Sequence, residues 1–197
     1  MNRLSIHRRA PSRRAPHVRG FSLLEIVIAV ALLATLAAVV AMRSGGAIDK
    51  GKVGAVLQSV DSLKTACVSY HADTGSFAWE YSGYSATDRK LSGTQTAAGW
   101  AGPYLEAPLA SGQNPWNGTI HVYATSATAG QAGFDVDGDG AVDVTSNSNM
   151  LYLSNVPATA AQSIDNALDK GAAGTWSTSG RVTYTASGGV LRILLHY

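Results

Sequence analysis

Cysteine is nearly absent from this 197-residue chain; the single one, Cys67, stands among apolar residues at helical spacing. One thiol excludes an intramolecular disulfide framework and any paired-cysteine zinc site, and in this setting it reads as a small buried hydrophobe. Proline is missing from Phe21 to Gly102, so nothing in that stretch forces a helix to break. Charge is scarce at 14% of residues, and acid is lacking altogether from the first twenty, which carry six arginines (Arg3, Arg8, Arg9, Arg13, Arg14, Arg19). The remainder holds nine basic against thirteen acidic residues, a net charge of −4. A basic arm can bind nucleic acid, but these arginines run straight into an apolar segment. That order points to retention on the cytoplasmic side of a membrane, and no nucleic acid is directly implied. His71, His121 and His196 are isolated in sequence, no motif surrounds a nucleophile, and no Gly-rich phosphate loop follows a strand. The chain is read as non-enzymatic.

What is present begins at Phe21. Ile26 to Met42 is free of charge and Phe21–Leu24 extends the run on the other side of Glu25, which is long enough to cross a bilayer as a helix. A secretory signal or a plain anchor accounts for the length but leaves Glu25 unexplained, because a carboxylate at hydrocarbon depth costs a few kcal/mol. Phe21 and Glu25 stand at i and i+4, positions that share a face of a helix. The stretch Gly20-Phe21-Ser22-Leu23-Leu24-Glu25-Ile26, with its basic leader, resembles the processing motif of type IV pilins and type II secretion pseudopilins. The resemblance implies that prepilin peptidase cuts after Gly20 and methylates the new amine of Phe21. It further implies that Glu25 faces the free amine of a neighbouring subunit. A buried carboxylate is tolerable when such a partner neutralises it, and the pairing then fixes register.

Helical spacing continues past the apolar run. Val53, Val56, Leu57, Val60, Leu63, Cys67 and Tyr70 recur at three- and four-residue steps, the pattern of one buried face. The spacing predicts one long helix from about Phe21 to His71, with a soft middle at Gly45–Gly54, since each Gly costs about 1 kcal/mol relative to Ala. Many pilins carry a proline about twenty residues into this helix; Met42 occupies that region here. Residues 73–118 read as loop, with Trp79, Tyr81 and Tyr84 as a cover over a small core. Within it Gly102-Pro103-Tyr104-Leu105, Pro108 and Asn114-Pro115-Trp116-Asn117-Gly118 resemble the loop of major pseudopilins. Strands are expected at Thr119–Thr125, Ala141–Thr145, Arg181–Ala186 and Val190–His196, the last two a hairpin around Ser187-Gly188-Gly189. A short helix is expected at Ala158–Asp169, stopped by Gly171. The fold class is therefore α+β, pilin-like: a long N-terminal helix whose apolar half protrudes and whose amphipathic half packs on a small antiparallel sheet. Residues 1–20 are the leader, 21–46 the transmembrane and filament-core helix, and 47–197 the globular domain.

The run Asp135-Val136-Asp137-Gly138-Asp139-Gly140-Ala141-Val142-Asp143 places alternate carboxylates on a tight turn, an arrangement suited to the six to eight oxygens of Ca²⁺. Asp135, Asp137, Asp139 and Asp143 are the candidate ligands. Ser146 stands where an EF-hand has its bidentate Glu, so a structural calcium turn is expected instead, as in many pseudopilins. The resemblance implies a homo-oligomeric filament subunit, made in the inner membrane, that works with prepilin peptidase and an inner-membrane assembly platform. It ends in an extracellular pilus or, as a type II pseudopilin acting in protein export, in a periplasmic filament. The other class kept open is a membrane-anchored or secreted calcium-binding module.

Overall fold

The computed structural model describes residues 21–83, 88–125, 133–170 and 173–197, and for 41–48 the backbone alone. The leader arginines, Gly20, Tyr84 and Gly171 lie outside the described residues. The chain divides into two units, Met1–Ser44 and Gly45–Tyr197.

Helix α1 runs from Leu23 to Thr74, 52 residues. In the first unit, Leu23–Val40 is long and apolar enough to cross a membrane, and none of it is buried. In the second unit Val56, Val60, Leu63, Ala66, Cys67 and Tyr70 are buried, a stripe at three- and four-residue steps. Ala66 joins the positions expected from the spacing, while Val53 and Leu57 are only partly covered. Burial pushes the Cys67 thiol up to about 12, with Glu80 adding to the effect, so it behaves as an inert hydrophobe. The backbone is helical through Gly45–Gly54. A Cβ at Gly51 or Gly54 would meet nothing within 4 Å, so packing does not require glycine there.

The stripe needs a partner, and a five-stranded antiparallel sheet supplies it. The strands are β1 (Glu80–Tyr81), β2 (Ile120–Thr125), β3 (Ser148–Leu153), β4 (Val182–Thr185) and β5 (Val190–His196), ordered β1-β2-β3-β5-β4. Period-two alternation sends Ile120 and Val122, Leu151 and Leu153, and Leu191, Ile193 and Leu195 into one core with α1. Helix α2 (Ala158–Leu168) adds Ala160, Ala161 and Ile164 to it. A second cluster of Phe134, Val144, Met150 and Leu194 draws on alternate residues of β3 and β5. The β4–β5 turn has Gly188 at φ 75° and Gly189 at φ 57°, and a Cβ on Gly189 would come within 2.7 Å of the Val156 carbonyl oxygen. Only glycine fits there.

Two expectations fail. Ala141–Thr145 is not a strand; Asp143 and Val144 donate backbone N–H groups to the Phe134 carbonyl at 2.9 and 3.1 Å, closing a loop instead. The third strand lies at Ser148–Leu153, where Leu151 and Leu153 enter the main core and Met150 the second. A strand covered on both faces shows no apolar–polar alternation. Residues 73–118 are likewise not all loop, because Glu80 and Tyr81 pair with Val122 and His121. Trp79 and Tyr81 are half-buried, and Tyr81 packs against the His121 and Tyr123 rings.

Two clips hold β1. The wholly buried Glu80 carboxylate accepts from the Leu91 and Ser92 backbone N–H groups at 2.9 and 3.2 Å and from the Ser92 hydroxyl. His121 Nδ1 accepts the Ser82 N–H at 3.0 Å, which requires an unprotonated Nδ1. Burial lowers the His121 pKa below its ordinary 6.5. Burial and then the charges of His71 and Lys64 do the same to His196. A lowered histidine pKa contributes stability that is complete above about pH 6.5 and is lost as pH falls toward the folded-state value. Thermal midpoints measured between pH 7.5 and 5 should therefore fall on the acid side for the wild type. The fall should be shallower for His121→Gln and His196→Gln; equal slopes in all three proteins would contradict the assignment.

Candidate functional site

The helix start is built by one hydroxyl. Ser22 Oγ accepts the Glu25 backbone N–H at 3.1 Å, and the Ser22 carbonyl accepts the Ile26 N–H at 3.2 Å. Ser22 is thus the N-cap, and Ser22-Leu23-Leu24-Glu25 has the spacing of a capping box. This residue was legible in the sequence by that spacing but is not among those singled out there. Phe21 precedes the cap, so it does not share a helical face with Glu25 as the i, i+4 spacing suggests; the backbone at Phe21 and Ser22 is non-helical. Phe21 is 76% exposed and Glu25 is exposed, at the start of an apolar run in which Leu23, Leu24, Leu32 and Leu33 all show more than half their surface. A soluble domain rarely leaves a contiguous apolar surface of this kind uncovered.

The acidic loop is ordered by its own carboxylates. Asp135, on the buried side, accepts the N–H groups of Gly138 and Gly140 at 2.8 and 3.1 Å. Asp143 Oδ2 accepts those of Val136 and Asp137 at 2.6 and 3.2 Å, tying the two ends of the loop together. Asp137 accepts the Asp139 N–H, and Asp139 that of Ala141. Gly138 has φ 77° and lies where a Cβ would be 2.1 Å from the Ala173 carbonyl oxygen, so the turn is pinned against the segment before β4.

Asp135, Asp137 and Asp143 are brought together, each with a carboxylate oxygen within 4.8 Å of the others. Asp139 is not in that cluster. Two oxygens on opposite sides of a calcium ion, each at about 2.4 Å, are about 4.8 Å apart. The three carboxylates therefore fit a hard cation, and all donors present are oxygen.

Comparison with known proteins agrees with the helix start. Residues 16–41 match the family described as the prokaryotic N-terminal methylation motif, and residues 47–142 match the family described as PilW, C-terminal. Over 112 residues the chain is 30% identical to the type II secretion system core protein G of Xanthomonas campestris pv. campestris, covering 57% of this chain and 71% of that protein. No solved structure matches the chain. The exposed apolar helix, the small antiparallel sheet and these matches define a pilin-like filament subunit. The chain belongs to the type IV pilin and pseudopilin superfamily.

The cap carries a direct expectation. Ser22→Ala should cost the first turn of α1 about 1 kcal/mol, read as roughly fivefold faster amide exchange at Glu25 and Ile26 in the detergent-solubilised protein. Ser22→Thr, which keeps the acceptor, should restore protection. Unchanged exchange in Ser22→Ala would remove Ser22 from this role.

Proposed function

We propose that the chain is inserted in the inner membrane as a precursor, cut between Gly20 and Phe21, and polymerised through residues 21–46 into a helical filament. The observation that carries this reading is the wholly exposed apolar span Leu23–Val40 with Glu25 inside it, in a segment that matches the methylation motif. In a filament the apolar faces of neighbouring helices bury one another, and burial is the main attraction. Glu25 then needs a cation at the same depth. The amine created at Phe21 by cleavage is that cation, so the pairing sets register and admits only processed neighbours. Prepilin peptidase and an inner-membrane assembly platform are the partners this scheme requires.

Two filaments suit such a subunit. The resemblance of the Gly102–Leu105 to Trp116 stretch to major pseudopilins, and the secretion-system relative, are compatible with a periplasmic pseudopilus acting in protein export. A surface pilus is the other outcome, and electron microscopy of material sheared from cells separates them. In either case Glu25→Ala and Glu25→Val should still insert but yield at least tenfold fewer filaments than wild type. Normal yields from both variants would refute the role given to Glu25.

We further propose that Asp135, Asp137 and Asp143 hold a structural calcium ion. When bound, the ion neutralises three carboxylates that otherwise repel one another across the ends of the loop. Binding to the folded state alone stabilises it by about 2.7 kcal/mol at a hundredfold excess over Kd, or about 5–10 °C for a chain of this length. Scanning calorimetry of the full chain in detergent should show that upshift with calcium over chelator. Asp137→Asn should shrink it markedly, and Asp139→Asn should weaken it less. Identical midpoints with calcium and chelator would dismiss the ion.

A further inference from the structure

A second cluster of carboxylates lies apart from the acidic loop. Asp165 and Asp169 stand one turn apart at the C-terminal end of α2, and both line a cavity of about 140 Å³. The opposite wall is the segment leading to β4, contributing Ala173, Thr175, Trp176 and Ser179. Asp169 is half satisfied, since its Oδ2 accepts the backbone N–H groups of Arg181 and Val182 at 2.8 and 3.0 Å. Asp165 has no such compensation. It is only 7% exposed, and among the described residues its carboxylate receives neither a hydrogen bond nor an ion pair. Its oxygens keep some accessible surface where Asp165 lines the cavity, so an ion there can reach them.

We infer that this cavity is a second cation site, in which Asp165 and Asp169 hold a divalent cation of calcium's hard, oxygen-seeking class.

Several observations fit that occupant. Arg181 directs Nη2 to the Leu194 carbonyl oxygen at 3.0 Å, and Lys170 lies exposed at the rim, so neither makes an ion pair with Asp165. Size decides against a larger ligand. A cavity of about 140 Å³ is below the range of about 300–1,000 Å³ typical of organic ligand sites, but it accommodates an ion with a few waters at about 30 Å³ each. The polar side chains that line it are those of Asp165, Asn166, Asp169, Lys170, Thr175 and Ser179, and the oxygens among them suit a hard ion and not a soft one.

The site also shares a wall with the acidic loop. Ser179 Oγ donates to Asp135 Oδ2 at 3.3 Å, the Gly180 N–H donates to the Asp135 carbonyl at 2.6 Å, and the Ala173 carbonyl abuts Gly138. A cation bridging α2 to residues 173–179 would therefore order the surface against which the loop is folded. The proposal does not require the loop itself to bind an ion.

The test uses Tb³⁺ with the full chain in detergent. Trp176 lines the cavity, so its indole should sensitise terbium emission there. Trp176→Phe, which leaves every proposed ligand in place, should reduce the sensitised emission at least fivefold. Asp165→Asn should do the same, whereas Asp137→Asn, in the other cluster, should leave the Trp176-dependent emission intact. In chelator, Asp165→Asn should melt higher than wild type, because it removes an unpartnered carboxylate, and should gain less from added calcium. Undiminished emission from Trp176→Phe would overturn the proposal. So would an Asp165→Asn protein whose midpoints match wild type with both chelator and calcium. A calcium upshift that is reduced but not lost in Asp137→Asn, with the Trp176 signal retained, would support both sites separately.

Discussion

An apolar helix surface that the protein itself never covers is the constraint around which the rest of this molecule is arranged. Leu23–Val40 carries enough exposed hydrocarbon to span a bilayer, and water is not a stable environment for it. It must be surrounded by lipid or by other copies of the same helix. Glu25 makes the two environments unequal. In lipid its carboxylate is costly, whereas in the proposed filament a neighbour's N-terminal amine would neutralise it. On that proposal a single acid near the start of the span would convert general hydrophobic attraction into a preference for a particular axial register.

The second unit meets a different demand with the same helix. Past Gly54 the spacing becomes amphipathic, and the buried stripe from Val56 to Tyr70 lies on one face of a twisted sheet whose other face is capped by Phe134 and Val144. Both layers are then anchored by polar groups placed where the chain is irregular. Glu80 holds residues 91 and 92 to β1, Asn114 donates to the Thr119 and Ser154 carbonyls at 2.9 Å each, and Asp169 receives the start of β4. These side chains do for the loops what ladder hydrogen bonds do for the strands. Gly51 and Gly54, where a Cβ would meet nothing within 4 Å, carry a lower helix propensity than alanine would at the same positions.

Most of this architecture was legible because it follows from periodicity. The α1 stripe, β2, α2 and the β4–β5 hairpin all show apolar spacing or turn glycines that local rules capture. What escaped was non-local. Ser148–Leu153 hides its strand character because both faces are buried, and Glu80–Tyr81 is a strand only through its pairing with Val122 and His121. The acidic loop was recognisable from alternate aspartates, but the exclusion of Asp139 from the cluster depends on which carboxylates the turn folds inward. Asp165 and Asp169 gave no signal in the sequence. Their four-residue spacing on a helix is common, and only the packing of residues 173–179 over them makes the arrangement unusual.

The proposed filament requires a chain that begins at Phe21 with a modified amine. Intact mass and N-terminal tandem mass spectrometry of the protein isolated from its native cells measures this directly. The first residue should be N-methyl-phenylalanine at position 21, with no trace of the arginine-rich leader in assembled material. A chain that starts near Met42, or one that retains Gly20 while present in filaments, would contradict it.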